Sequence, residues 1–190
     1  MAKLESTLKT MVLSLLMVCT VAATLLGFMN ELTKGPIAES KLRAKLAAIQ
    51  QVVPEFNNNP SDEMYTVQSD LGELECFPAR KDSVLVGTAI SSKTNMGFSG
   101  TFTVMVGLDP DGALINTSVL EHKETPGLGT KMLEPKFKDQ FPGKNPATDN
   151  IKITKDGGSI DAITAATISS RAFCDAVIRA WEGYRKGGAQ

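Results

Sequence analysis

The chain reads as an α+β protein: an antiparallel sheet with packed helices, attached to a single N-terminal membrane helix. Three observations carry this. Residues 11–29 run without a charged side chain. Between residues 65 and 120, short β-rich runs alternate with turn residues, the pattern of neighbouring antiparallel strands. From Ile168 onward, apolar residues fall at Ala172, Phe173, Ala176, Val177, Ala180, Trp181 and Tyr184, the spacing of one helix face.

The N-terminal run contains Val12, Leu13, Leu15, Leu16, Met17, Val18, Val21, Leu25, Leu26 and Phe28. It matches the roughly 20 apolar residues that a bilayer core requires. Lys3 and Lys9 precede it, while Lys34, Lys41, Arg43 and Lys45 follow, so charge counting does not decide its orientation. A cleaved signal peptide is the rival reading, because Val21-Ala22-Ala23 resembles a cleavage site. The apolar run continues past it to Met29 and favours an uncleaved anchor. Leu16-Met17-Val18 lacks the small residue that would mark Cys19 for lipidation. The domain reading is therefore a short N-terminal segment 1–10, a membrane helix 11–29, a helical linker 30–60 and a globular domain 61–190.

Within the linker, Gly35-Pro36 marks a break, and Leu42, Leu46, Ile49 and Val53 share one face of a helix beginning near Ile37. Pro36 fits its first turn and Pro54 its stop. Asn57 to Asp62 is a polar break. Strands are expected at 65–67, 74–79 and 84–90, followed by a polar connection from Ser91 to Gly100. Thr101–Leu108 and Ala113–Leu120 form a hairpin around Asp109-Pro110-Asp111-Gly112. This is a turn and not a calcium loop, since the twelfth position of such a loop would be Leu120. A short helix is expected within 133–141, a strand at 151–154, and a helix entered through Asp161 or Thr164 as cap and ended at Gly187-Gly188.

Composition excludes several classes. Twenty basic and 21 acidic residues give a net charge of −1, and aromatics make up 6%, so the basic, aromatic-interleaved surface of a nucleic-acid binder is missing. The three cysteines, Cys19, Cys76 and Cys174, form no CxxC, which leaves no metal cluster held by cysteine; Cys76 and Cys174 are read as buried free thiols. His122 is the only histidine. Flanked by Glu121 and Lys123, it reads as a solvated residue, and no Ser/His/Asp set or other catalytic group stands out.

Two segments can bind a ligand. Thr164-Ala165-Ala166-Thr167-Ile168 places a threonine hydroxyl in the first turn of a helix, where unpaired N–H groups and the macrodipole favour a phosphate. Taken locally, the same residues also serve as simple caps. Glu124-Thr125-Pro126-Gly127-Leu128-Gly129 joins an acceptor and a hydroxyl to a sharply turning backbone able to approach a ligand closely; taken locally, it also reads as a plain connecting loop.

Together these segments resemble a known family. Glu124–Gly129 is similar to the family's E-T-P-G-L-G segment, and Asp161–Ser170 resembles its flavinylation motif D-x-x-[ST]-G-A-T-x-[ST]-S, with Ala165 where the glycine is usual. Gly97-Phe98-Ser99-Gly100 also fits the pattern. The family comprises the FMN-binding subunits of ion-translocating membrane oxidoreductases: the G subunit of the Rnf complex and, related to it, the C subunit of the sodium-pumping NADH:quinone oxidoreductase.

The resemblance implies FMN joined to Thr167 by a phosphoester, installed by a separate FMN transferase with FAD as donor. It implies a flavin held by Glu124, Thr125, Gly127, Leu128, Gly129, Thr164, Ala165, Ala166, Ile168, Gly97 and Phe98. It also implies a cytoplasmic-membrane protein with its N-terminus inside and its domain outside, partnered by lipid and by other subunits of a complex coupling ferredoxin:NAD oxidoreduction to sodium or proton movement. The alternatives are the C subunit of the quinone reductase and a membrane-tethered scaffold without cofactor.

Overall fold

The computed structural model describes residues 7–187. The chain divides into two compact units between Arg43 and Ala44. One helix, α1 (Leu8–Val52), makes up the first unit from Leu8 onward and enters the second. It is the one helix among the described residues long and apolar enough to cross a membrane, and the side chains from 11 to 29 are all exposed. Residues 1–6 of the N-terminal segment, with Lys3, lie outside the described residues.

The break at Gly35-Pro36 is not present: α1 runs through it with Pro36 in its interior. A proline there removes one backbone hydrogen bond. Gly35 adds to the cost, but good helix formers flank the pair, Glu31, Leu32 and Lys34 before it and Ala38, Glu39 and Lys41 after it, and the Glu31–Lys34 and Glu39–Arg43 ion pairs reinforce the turns before and after it. The helix stops at Val52, two residues ahead of Pro54, as a proline stop requires.

The second unit holds five strands: β1 (Tyr65–Ser69), β2 (Gly72–Lys81), β3 (Val84–Thr94), β4 (Phe102–Leu108) and β5 (Leu114–Glu121). They pair antiparallel in sequence order, an uninterrupted meander. The β4–β5 turn is built as its sequence dictates: the Asp109 carboxylate accepts from the N–H groups of Asp111 and Ala113, and Gly112 takes the left-handed conformation at φ +80°.

Three expectations are corrected. The connection expected at 91–100 begins later, because Ser91, Ser92 and Thr94 are buried within β3, where small hydroxyl residues fit under packed elements. Residues 151–154 form no strand. Ile151 and Ile153 are buried, but the backbone makes only a parallel bridge from Ile153 to Ile160 before a 3-10 turn at Thr154–Asp156. The helix within 133–141 is limited to α2 (Pro135–Lys138), preceded by a 3-10 turn at Gly129–Leu133.

The last helix, α3 (Thr167–Gly187), covers one face of the sheet. Its buried residues Ala172, Phe173, Ala176, Val177, Ala180 and Tyr184 pack with Cys76, Ile90, Val104 and Val106. Phe137, Phe141 and Phe173 meet with ring centroids 4.9–5.5 Å apart. The opposite face receives the end of α1: Ala48, Ile49, Val52 and Val53 pack on Phe77, Ala79, Ala89 and Met105. Gly107 on β4 makes this possible, since a Cβ there would collide with the Val52 carbonyl. Gly188 lies outside the described residues, and α3 is described to Gly187. Cys76 and Cys174 are buried and free; burial pushes their thiols up to about 11 and about 12.

Candidate functional site

The start of α3 faces two loops: residues 95–101 between β3 and β4, and residues 122–128 after β5. Between them lies a cavity of about 290 Å³ lined by Phe98, Glu124, Thr125, Leu128, Gly129 and residues 165–169. Nine sequence-derived candidates thus line one cavity: Thr167, Glu124, Thr125, Leu128, Gly129, Ala165, Ala166, Ile168 and Phe98. Gly127, Gly97 and Thr164 stand outside the lining. Gly127 turns the second loop at φ +75°, its N–H donating to Thr130 Oγ1 at 2.9 Å. Gly97 belongs to the first loop, and a Cβ there would sit 2.7 Å from Glu124 Oε1. Thr164 opens onto a neighbouring cavity of about 470 Å³ with Lys131, Glu134 and Gln140.

The helix begins at Thr167, later than a cap at Asp161 or Thr164 would place it. The chain enters through a turn in which Ala166 N–H donates to Ile163 O and Ala165 is left-handed at φ +63°. That conformation bends residues 163–166 away from the helical path, so neither Asp161 nor Thr164 can cap. Ser170 fastens the turn: its hydroxyl donates to Ala166 O and accepts from Ile163 N–H. Among the described residues, no acceptor meets the N–H groups of Thr167, Ile168 and Ser169. Three unpaired donors at the positive end of a 21-residue helix make an anion position, beside the half-exposed Thr167 hydroxyl.

Apart from Glu124 and Thr125, the remaining wall is largely apolar. Phe98 is 68% exposed and Ile168 47%, and Leu128, at the end of the second loop, is exposed as well. Ile168 continues the apolar sequence pattern of α3, yet it points away from the core and into this cavity. An anion position next to exposed large apolar side chains fits a ligand with a phosphate at one end and a flat aromatic system at the other. FMN has that form. Among the described residues no His/Cys/Asp/Glu group could hold a metal ion.

Glu124 is 4% exposed. Its Oε1 accepts from Ser99 N–H at 3.2 Å and its Oε2 from the Ser169 hydroxyl at 2.8 Å, so it joins both loops to α3. Ser169 was not among the candidates, although it occupies the second [ST] position of the motif read from the sequence. Ser99 donates through its backbone, which no sequence pattern announces. His122 differs from its expected solvated state: it is half-buried, and Nδ1 is shielded from solvent without a partner. It follows directly on β5, which ends at Glu121.

Comparison with known proteins places these residues in context. The model of the FMN-binding domain family matches residues 97–182, which contain the second loop, the first loop from Gly97 onward and most of α3. The G subunit of the ion-translocating oxidoreductase complex of Stutzerimonas stutzeri is 35% identical over 178 residues, covering 90% of this chain and 78% of the relative. The G subunit of the Na(+)-translocating ferredoxin:NAD(+) oxidoreductase complex of Acetobacterium woodii is 30% identical, covering 87% of this chain and 86% of the relative. Among solved structures, the C subunit of the Na(+)-translocating NADH-quinone reductase from Parabacteroides distasonis aligns with a TM-score of 0.49 at 21% identity, over 72% of this chain and 78% of that one.

Proposed function

The chain belongs to the family of G subunits of ion-translocating oxidoreductase complexes, and from that premise we propose that it carries electrons on an FMN esterified to Thr167. The observation that carries this reading is the Thr167 hydroxyl, half-exposed beside three unpaired N–H groups at the mouth of an apolar-walled cavity. The N–H groups of residues 167–169 would hold the phosphate. Phe98, Leu128 and Ile168 would cover the ring and exclude water from it, while Thr125 and the turn through Gly127 and Gly129 shape the opposite wall. The flavin supplies the redox chemistry, and the protein supplies attachment, orientation and electrostatics.

The threonine ester requires a separate FMN transferase that draws on FAD, and the partial exposure of Thr167 leaves the hydroxyl accessible to it. Helix α1 anchors the protein in the lipid bilayer, with residues 1–10 inside and the domain from residue 61 outside the cytoplasmic membrane. Residues 11–29 contain no Asp, Glu, Lys, Arg or His, so this chain conducts electrons and leaves ion movement to other subunits. In the assembled complex, ferredoxin:NAD oxidoreduction would drive sodium or proton translocation.

Intact mass and in-gel flavin fluorescence after denaturation test the attachment. Protein coexpressed with its transferase is expected to gain the mass of one FMN phosphoester and to fluoresce. Thr167→Val is expected to lose both signals. Wild-type protein without added FMN would instead identify a scaffold without cofactor. Copurifying subunits and ferredoxin-dependent NAD reduction separate this assignment from the C subunit of a quinone reductase.

A further inference from the structure

Glu124 stands out among the polar groups of the second unit. It is buried, and its carboxylate meets two donors and no basic side chain among the described residues. Two glycines make room for it. A Cβ at Gly129 would lie 2.5 Å from Oε2 and 2.9 Å from Ser169 Oγ, and one at Gly97 would lie 2.7 Å from Oε1. Both loops are therefore shaped around this carboxylate.

The carboxylate does not fill the anion position of the helix. From Ser169 it takes the hydroxyl and leaves the N–H free, and it makes no contact with the N–H groups of Thr167 or Ile168. A phosphate and Glu124 can thus be present together, with a second negative charge in the cavity wall. Burial away from solvent keeps that charge poorly screened.

We infer that Glu124 is a positioning residue that also holds down the reduction potential of the site. The inference rests on the reading of the cavity as a flavin site. Each electron that enters the ring without a compensating proton adds one negative charge, and a fixed carboxylate in the wall opposes it. The electrons come from the donor centre of the complex and leave to its acceptor centre, so Glu124 changes the poise of the site and not the balance of the reaction. At the same time, its hydrogen bonds to Ser99 and Ser169 fix the two loops against the first turn of α3.

Glu124→Gln separates the two effects. The carboxamide has the same shape; it can accept from Ser99 N–H and donate to Ser169 Oγ while carrying no charge. The measurement is a spectroscopic redox titration of full-length protein, coexpressed with FMN transferase and purified in detergent. Wild type, E124Q and Glu124→Ala are compared together with their near-UV circular dichroism. E124Q is expected to keep the wild-type flavin content and dichroism and to show a more positive midpoint, so that at the wild-type midpoint its reduced-to-oxidised ratio rises about tenfold. E124A is expected to lose the bound-flavin dichroism through loosened loops.

An E124Q midpoint equal to or below that of wild type overturns the inference and leaves the flavin assignment standing. An E124Q protein that no longer folds or takes up flavin assigns Glu124 a purely structural role and overturns it too. Wild-type protein without flavin defeats the functional reading itself.

Discussion

Ala165 sits at φ +63°, where a side chain is strained and glycine is not. The motif it occupies usually carries glycine, and the structure supplies the reason: the turn into α3 is left-handed at this residue. Ala165→Gly is expected to stabilise the protein by about 1 kcal/mol, a rise of roughly 2–4 °C in melting temperature by circular dichroism. An unchanged or lower melting temperature would show that the turn is not under strain. A few residues on, Arg171 grips both carboxylate oxygens of Asp156 at 2.7 Å and lowers its pKa, chiefly through that hydrogen bond. A lowered folded-state value means that this contribution to stability is present above the ordinary 3.8 and is lost as pH falls through the lowered value. Removing the guanidinium in Arg171→Ala should therefore narrow the gap between neutral and strongly acidic melting temperatures. At this scale the sequence was readable where motif residues touch the cavity, as Thr167, Leu128 and Phe98 do. It was not readable for Ser99 and Ser169, which meet Glu124 across 25 and 45 residues of chain through contacts that only the fold creates.

Among the elements, the meander and α3 were legible because their signals are local: alternation, a turn with its own hydrogen bonds, and an apolar stripe. The polar tail of β3 was not, because Ser91, Ser92 and Thr94 look like loop residues until α3 and the end of α1 cover the sheet. Thr94 shows what such residues do there: its hydroxyl donates to Asp175 of α3 at 2.8 Å and accepts from Met96 N–H, fixing the start of the first cavity loop. Gly107 was equally silent in the sequence. Gly107→Ala should force Val52 off the sheet and destabilise the protein by about 1–3 kcal/mol, read as a lower denaturant midpoint with an unchanged slope. Wild-type stability in G107A would mean that α1 and β4 can separate without penalty.

The whole molecule divides at Arg43/Ala44, and the second unit contains the sheet, both packed faces and the cavity. A chain starting at Ala44 is therefore expected to be soluble without detergent and to melt cooperatively, with a midpoint close to that of the full-length protein. Loss of cooperativity would place part of its stability in residues 7–43. The order of the strands has a further consequence. Each strand pairs only with its neighbours in sequence, so the sheet can assemble progressively as the chain is delivered, with short loops to close at every step. Helix α3 is the last element, and it covers a face that β1 to β4 must already have formed. The hydroxyl at its first residue acquires its surroundings, with Glu124 and Phe98 in place, only at that final docking. Under the proposed attachment, an enzyme that recognises the assembled mouth of the cavity would load finished domains and pass over incomplete ones.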